Sequence, residues 1–330
     1  MKRVYVIAEA GVNHNGSPEL ARRLVTAAAE AGADAVKFQT FRADTLVAPD
    51  APKAEYQKDT TGASESQYQM LKRLELDDTA HFELKALCVD LGIDFVSTPF
   101  DVSDIPLLQR IDVPFFKIPS GATTDLPYLR AINDCRKPVV MSTGMSTADE
   151  IAAALAVLED CPVSLLHCTS EYPCPYHDVN LKAMQTLKSR FGLPVGYSDH
   201  TPGTEVAIAA VSLGAEIIEK HFTLDRDMPG PDHRASLEPE ELKAMISAIR
   251  HVSEAIAGDG RKLPVAAEQA ISIVARKSIV AKRPIRAGER FTPENLATMR
   301  PGTGISPMRW DEVVGMAATR DFAKGERIVI

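Results

Sequence analysis

The sequence predicts an α/β protein, a (β/α)8 TIM barrel followed by a small β-rich domain. Three observations carry that prediction. Short β-branched or aromatic runs alternate with amphipathic stretches eight times within about 258 residues, the length and rhythm of such a barrel. No GxGxxG follows any of the apolar runs, which argues against a doubly wound open sheet. After Gly258-Asp259-Gly260 the pattern changes to short apolar pairs punctuated by Gly and Pro. The predicted division is therefore a barrel over 1–258, a linker over 259–272 and a β-rich module over 273–330.

The strands are placed, in order, at Val4–Ala8, Ala35–Phe38, Asp94–Ser97, Phe115–Ile118, Val139–Ser142, Val163–His167, Val195–Tyr197 and Glu216–Glu219. Each is a short apolar run bounded by turn-forming residues. Helices are expected at Pro18–Ala31, Thr79–Leu91, Asp104–Arg110, Leu126–Asn133, Thr147–Leu158, Asn180–Arg190, Glu205–Leu213 and Pro239–Ala257. Ser17, Thr147 (with Glu150 three residues on) and Asp178 stand as N-caps, and Gly32, Gly92, Gly192 and Gly214 as helix stops. One polar excursion, Asp44 to Asp78, breaks the rhythm after the second strand. On a barrel, a long loop there lies on the catalytic face. A connecting helix is expected near Val265–Ile271, and the module beyond it repeats itself: PIRAGERF (284–291) echoes DFAKGERI (321–328). That echo predicts a glycine turn between short strands used twice, a pseudo-symmetric fold that leans on a partner surface.

Composition narrows the function classes. Hydrophobic content of 45% and charged content of 25% are those of a globular protein. The N-terminal run MKRVYVIAEAG is interrupted by Glu9 and reads as a buried strand rather than a signal peptide. No apolar run approaches the ~20 residues of a membrane helix. The five cysteines show no CxxC spacing and are expected as reduced thiols in a cytoplasmic protein. Residues 273–330 hold 11 Lys+Arg against 6 Asp+Glu, hence +5, which leaves −13 of the net −8 on residues 1–272. A basic module on an acidic body can dock on that body or meet an anionic ligand. Nucleic-acid binding is not expected, because no basic run is interleaved with aromatics.

Barrels carry chemistry at the C-terminal ends of their strands. Those positions here are Glu9, Lys37 with Gln39, Thr98, Lys117 with Ser120, Ser142 with Thr143, Ser170 with Tyr172, Ser198 with His200, and His221; the loop after the last strand adds Asp232. His200 and His221 end sequential strands. Two imidazoles are too few for a closed zinc site but suit an ion such as Mn²⁺ that keeps open positions for water and a substrate oxygen. Either histidine alone reads equally as a hydrogen-bonded core residue. Lys37 and Lys117, with the nearby hydroxyls and Gly-rich turns, suit phosphate and carboxylate. A Schiff-base lysine and plain salt bridges are the competing readings. Glu9, Gln39, Tyr172 and Asp232 suit sugar hydroxyls, although Glu9 pairing with a lysine and Tyr172 packing in its proline-bound loop are the plain structural uses.

AEAGVNHNG (8–16), VKFQTF (36–41), STPFD (97–101), KIPSG (117–121), STGM (142–145), HCTSEYP (167–173), GYSDHTPG (196–203), IEKHFTLDRDMPGPDH (218–233) and RPGTGISP (300–307) together resemble the bacterial sialic acid (N-acetylneuraminate) synthase family over essentially the whole chain. The resemblance implies condensation of phosphoenolpyruvate with an open-chain N-acetylhexosamine, N-acetylmannosamine in the type reaction, giving a nine-carbon 2-keto acid and phosphate. A related synthase acting on 2,4-diacetamido-2,4,6-trideoxymannose, to make N,N'-diacetyllegionaminic acid, is the alternative. The resemblance further implies Mn²⁺, or Mg²⁺ or another divalent cation, on His200 and His221. It sets Lys37, Thr98, Lys117, Ser120, Ser142, Ser170 and Ser198 around phosphoenolpyruvate, and Glu9, Gln39, Tyr172 and Asp232 around the sugar. It makes the tail an antifreeze-like SAF (β-clip) domain that crosses to the partner in a domain-swapped homodimer and brings Arg300 to the sugar's acyl group. Ala122 stands where the family commonly has Glu, which weakens any role for a carboxylate at that place.

Overall fold

The computed structural model describes residues 3–48, 50–53, 55–62 and 65–330. The chain divides into two compact units, Met1–Ala257 and Gly258–Ile330.

In the first unit, strands and helices alternate as β1 (Tyr5–Gly11), α1 (Pro18–Ala31), β2 (Ala35–Thr40), α2 (Ala43–Leu46), α3 (Glu55–Thr61), α4 (Gln67–Leu74), α5 (Asp78–Leu91), β3 (Asp94–Pro99), α6 (Ile105–Ile111), β4 (Phe116–Ile118), α7 (Leu126–Asp134), β5 (Val139–Ser142), α8 (Ala148–Val157), β6 (Val163–His167), α9 (Ala183–Phe191), β7 (Val195–Asp199), α10 (Glu205–Ser212), β8 (Ile217–His221) and α11 (Pro239–Ala255). The eight strands are parallel and ordered β3-β2-β1-β8-β7-β6-β5-β4, with β3 and β4 packed side by side at the seam. This is the (β/α)8 barrel that the alternation predicted.

Strand alternation decides what each residue does. One line of side chains turns outward onto the helices: Val6, Val36 and Phe38, Phe95, Phe116, Met141, Leu165, Tyr197 and Ile218 all join the main core under the helical layer. The other line turns into the barrel. Its lower levels, Ile7, Ala35, Val96, Phe115, Val140 and Leu166, form a separate apolar plug. Its upper level is polar: Glu9, Lys37, Thr98, Lys117, Ser142, Ser198, Glu219 and, one step higher, His200 and His221. Burying each Leu, Ile or Phe side chain stabilises the fold by ~1.5–3 kcal/mol, and this plug closes the barrel beneath the charged layer. The same parity explains Lys220. It sits between Glu219 and His221 but faces outward, where its Nζ meets Asp199 Oδ2 at 2.8 Å beneath the helices.

Gly196 permits a close approach within this packing. A Cβ there would come within 2.3 Å of Ile217 O and 2.8 Å of Ile217 Cβ, so only glycine lets β7 lie so near β8.

Helix starts follow their caps: Ser17 Oγ accepts from Leu20 N, and Thr147 with Glu150 closes a capping box. One expectation fails. The helix predicted from Asn180 with an Asp178 cap begins instead at Ala183; Tyr176–Asp178 is a 3₁₀ turn, and Asn180 has φ +46°, which breaks any helix at that point. The polar excursion after β2 is not bare loop, since it holds α2, α3 and α4.

The second unit takes in the stretch expected as a linker, because helix α12 (Ala266–Ala275) lies within it. Antiparallel β9 (Ser278–Ala281) and β10 (Leu296–Met299), a 3₁₀ turn at Pro307–Arg309 and the one-turn α13 (Trp310–Val313) follow. Its core is Ile279, Ala281, Ile285, Phe291, Leu296, Val313, Ala318, Phe322 and Ile328. The two sequence echoes pair with each other: Ile285 and Phe322 exchange both backbone hydrogen bonds, at 3.0 and 2.8 Å. Gly288 and Gly325 both stand at φ +82°.

Candidate active site

The barrel's C-terminal mouth opens into a cavity of about 380 Å³, within the range of small-ligand sites. The barrel residues singled out from sequence line it with one exception: Glu9, Lys37, Gln39, Thr98, Lys117, Ser120, Ser142, Ser170, Tyr172, Ser198, His200, His221 and Asp232 are in its lining, whereas Thr143 turns away and donates from Oγ1 to Leu166 O at 2.9 Å. Arg300, by contrast, belongs to the second unit. It follows β10, is exposed, and donates from Nε to Ala275 O at 3.0 Å.

The floor is an alternating row of buried charges. Lys37 Nζ lies 2.7 Å from Glu9 Oε2, 3.2 Å from Thr98 Oγ1 and 3.7 Å from Glu219 Oε2. Lys117 Nζ donates to Ser142 Oγ at 2.7 Å and lies 3.5 Å from Glu219 Oε1, which also accepts from Ser198 Oγ at 2.8 Å. Glu219 thus stands between the two ammoniums, and its Oε2 is buried without a hydrogen-bond partner. Sequence reading missed it. The signal was its position two residues before His221, on the same face of β8.

Environment separates the two carboxylates. Burial raises the pKa of Glu9, to about 7, and the nearby Lys37 only partly offsets it. Glu219 suffers the same burial penalty, but Lys117 and Lys37 together outweigh it and hold the group below the ordinary range. The lysines divide likewise. Glu219 and Glu9 overcome burial and raise Lys37, whereas burial prevails at Lys117 and lowers it. Asp232, also buried, is raised to about 6, with Lys37 again opposing the shift.

Toward β5 and β6 the wall is made of small hydroxyls around Gly144, whose backbone N donates to Ser120 Oγ at 3.0 Å. A Cβ on Gly144 would come within 2.4 Å of Ser170 Oγ, 2.9 Å of Ser120 Oγ and 3.0 Å of Cys168 Sγ. This cradle is open only because the residue is glycine. Cys168, 3.2 Å from Ser120 Oγ, is a second lining residue that sequence reading passed over.

His200 and His221 lie with ring centroids 5.6 Å apart, and the Tyr172 ring lies 4.1 Å from that of His200, tilted by 38°. Burial lowers both pKa values, so both imidazoles are neutral near pH 7. His200 Nδ1 lies 2.6 Å from Thr169 O; donating there leaves Nε2 as a lone-pair donor. His221 Nδ1 is a buried ring nitrogen with no hydrogen-bond partner. Among the described residues, no group of three or more His, Cys, Asp or Glu is arranged around a metal. Two neutral imidazoles beside a polar cavity fit a divalent cation that takes its remaining ligands from water and substrate.

A parallel barrel with two lysines, a hydroxyl cradle and paired histidines at its mouth has the chemistry suited to a small anionic molecule. The NeuB family model matches residues 24–262 and the SAF domain model residues 276–329, and the chain belongs to the NeuB family. It is 50% identical to the N,N'-diacetyllegionaminic acid synthase of Campylobacter jejuni, covering 99% of each chain. It is 48% identical to the protein of that name from Legionella pneumophila, covering 98% of this chain and 93% of the other. The crystal structure of the N-acetylneuraminic acid synthetase of Leptospira borgpetersenii, in complex with citrate, superposes with a TM-score of 0.72 at 36% identity, over 82% of this chain and 90% of that one.

Proposed function

We propose that this chain is a divalent-cation-dependent synthase that condenses phosphoenolpyruvate with open-chain 2,4-diacetamido-2,4,6-trideoxymannose to N,N'-diacetyllegionaminic acid and phosphate. The observation that carries the reading is the buried Glu9–Lys37–Glu219–Lys117 row beneath a hydroxyl cradle, in a chain about half identical to two synthases of that name. Those relatives favour the diacetamido acceptor over N-acetylmannosamine, which the likeness to the Leptospira synthetase supports as the second reading.

Lys37 and Lys117 hold the phosphate and carboxylate of phosphoenolpyruvate, with Thr98, Ser120, Ser142, Ser170 and Ser198 completing the cradle. Glu219 is a positioning residue that fixes the spacing of the two ammoniums. Glu9, Gln39, Tyr172 and Asp232 bind the sugar. C3 of phosphoenolpyruvate forms the new bond to the aldehyde carbon, water adds at C2, and the adduct loses phosphate by C–O cleavage. One proton of the water goes to the alkoxide left from the aldehyde, with Glu9, whose pKa burial raises to about 7, as the group that passes it; the other leaves the C2 hydroxyl with the departing phosphate as the ketone forms. A Mn²⁺ or Mg²⁺ ion on His200 and His221 would polarise the aldehyde oxygen when bound.

The SAF domain is proposed to serve the partner of a homodimer, bringing Arg300 to the acyl group. Helix α12 supports this reading, since its own unit buries none of its residues and leaves Ile271, Ile273 and Val274 uncovered. Five free thiols and the lack of a membrane-spanning helix among the described residues support a cytoplasmic setting.

The test is phosphate release and product mass with phosphoenolpyruvate and each sugar. Turnover of the diacetamido sugar, stopped by chelation and by His221→Ala with the fold intact, is the expected result. Full activity in metal-stripped His221→Ala protein would end the metal role, and borohydride trapping of a lysine adduct would favour a Schiff-base mechanism instead.

A further inference from the structure

The cavity has two chemically different halves, and the proposed chemistry uses only the polar one. Phe41 and Phe100 stand two residues beyond Gln39 and Thr98, on the same inward lines of β2 and β3, and their rings meet edge to face with centroids 6.2 Å apart. Helix α4 lays Met70, Leu71 and Leu74 against them, and α2 adds Leu46. Phe41, Met70 and Leu74 are buried as the base of this wall, while Leu46, Leu71 and Phe100 are only half-buried, and all of them line the cavity. Anion binding and aldehyde activation call for none of these side chains. A continuous apolar wall in a site for a polyhydroxylated sugar needs a ligand surface to match it, because each sugar hydroxyl pressed against it would lose its hydrogen bonds to water.

We propose that the Phe41–Phe100 pair and the α2/α4 side chains form the acceptor-specificity surface, receiving the methyl-bearing end of the sugar. The groups in question are the C6 methyl of a 6-deoxysugar and the methyl of its second acetamido substituent. The wall discriminates against N-acetylmannosamine, which presents a hydroxymethyl and a hydroxyl there. Gln67, which also lines the cavity, is placed to meet the acetamido amide. The inference rests on the synthase reading above and deepens it, placing acceptor choice in the excursion after β2.

The test is steady-state kinetics of the full-length enzyme and of Leu71→Gln and Phe100→Tyr, each with both sugars at saturating phosphoenolpyruvate. One apolar group in a pocket is worth ~10–200-fold in discrimination. The expected result is that the ratio of kcat/KM values, diacetamido sugar over N-acetylmannosamine, falls about tenfold or more in each variant. The change should lie mainly in the KM for the sugar, with the KM for phosphoenolpyruvate steady, and Leu71→Met should restore the ratio. Equal losses for both sugars, or an unchanged ratio, would overturn the proposal and leave the wall as packing between excursion and barrel. A wild-type enzyme that prefers N-acetylmannosamine would overturn it too, while leaving the synthase reading standing. If wild type releases phosphate with neither sugar, the synthase reading itself fails. Should Leu71→Gln prove unstable, Phe100→Tyr, which only adds a hydroxyl at a half-buried edge, decides alone.

Discussion

Glu219 is the residue on which the charged floor depends. Without it, two buried ammoniums would face each other with only Glu9 to offset them, and buried like charges repel strongly at short range. Glu219→Gln keeps the shape and the Ser198 contact but removes the charge between Lys37 and Lys117. The expected outcome is a KM for phosphoenolpyruvate changed by about tenfold or more, with a smaller change in the KM for the sugar; one pKa unit of altered lysine affinity corresponds to ~1.4 kcal/mol. A variant losing stability with both constants intact would show that Glu219 serves the fold alone. Most of this floor was legible in the sequence, because strand ends mark functional positions on a barrel. Glu219 was not: the strand predicted at Glu216–Glu219 ends on it, but the reading took His221, two residues further on, as the functional end of that strand, and the observed strand runs on to His221 with both side chains on its inward face.

At the scale of elements, the loops after β1 and β8 are fastened by histidines unrelated to the proposed chemistry. His14 Nδ1 accepts from Gly16 N at 3.0 Å, His233 Nδ1 pairs with Thr223 Oγ1 at 2.6 Å, and His233 Nε2 lies 3.3 Å from Asn15 Oδ1. Burial lowers the pKa of His14 to about 3 and that of His233 to about 4. A histidine depressed in the fold binds fewer protons there than in the unfolded chain. Its contribution is therefore complete above the unfolded value near 6.5, and is lost as pH falls toward 3–4. Tm should fall between pH 6.5 and 4, with a shallower slope in His233→Asn, as read by thermal unfolding across that range; equal slopes would remove His233 from the account. Sequence reading located these elements by their periodicity and caps, and stumbled where one backbone angle decided the outcome. Asn180 at φ +46° moved a helix start by three residues, because asparagine tolerates that conformation but does not announce it. The apolar wall was hidden for a related reason: Met70, Leu71 and Leu74 lie in a stretch whose average composition is polar, and their role appears only once α4 folds them onto Phe41 and Phe100.

The molecule as a whole joins an acidic barrel unit to a basic module that exposes an apolar helix, and each feature becomes useful if two chains exchange modules. The +5 module would then meet a −13 body belonging to its partner, and Ile271, Ile273 and Val274 would find a surface to cover them. The repeat in the module was readable from sequence, and it folds as two echoes paired at Ile285 and Phe322; which body the module serves is a property of the assembly and leaves no trace in one chain's periodicity. Complementation decides the question. Lys117→Ala disables a chain's own barrel, and Arg300→Ala disables the site that its module completes. In a swapped dimer, mixing the two chains after joint refolding creates sites with an intact barrel from one chain and an intact module from the other. Random pairing in a twofold dimer makes about a quarter of the sites complete, so activity should rise to about a quarter of wild type from two nearly inactive parents. If each module served its own barrel, every site would carry one lesion and the mixture would stay as inactive as its components.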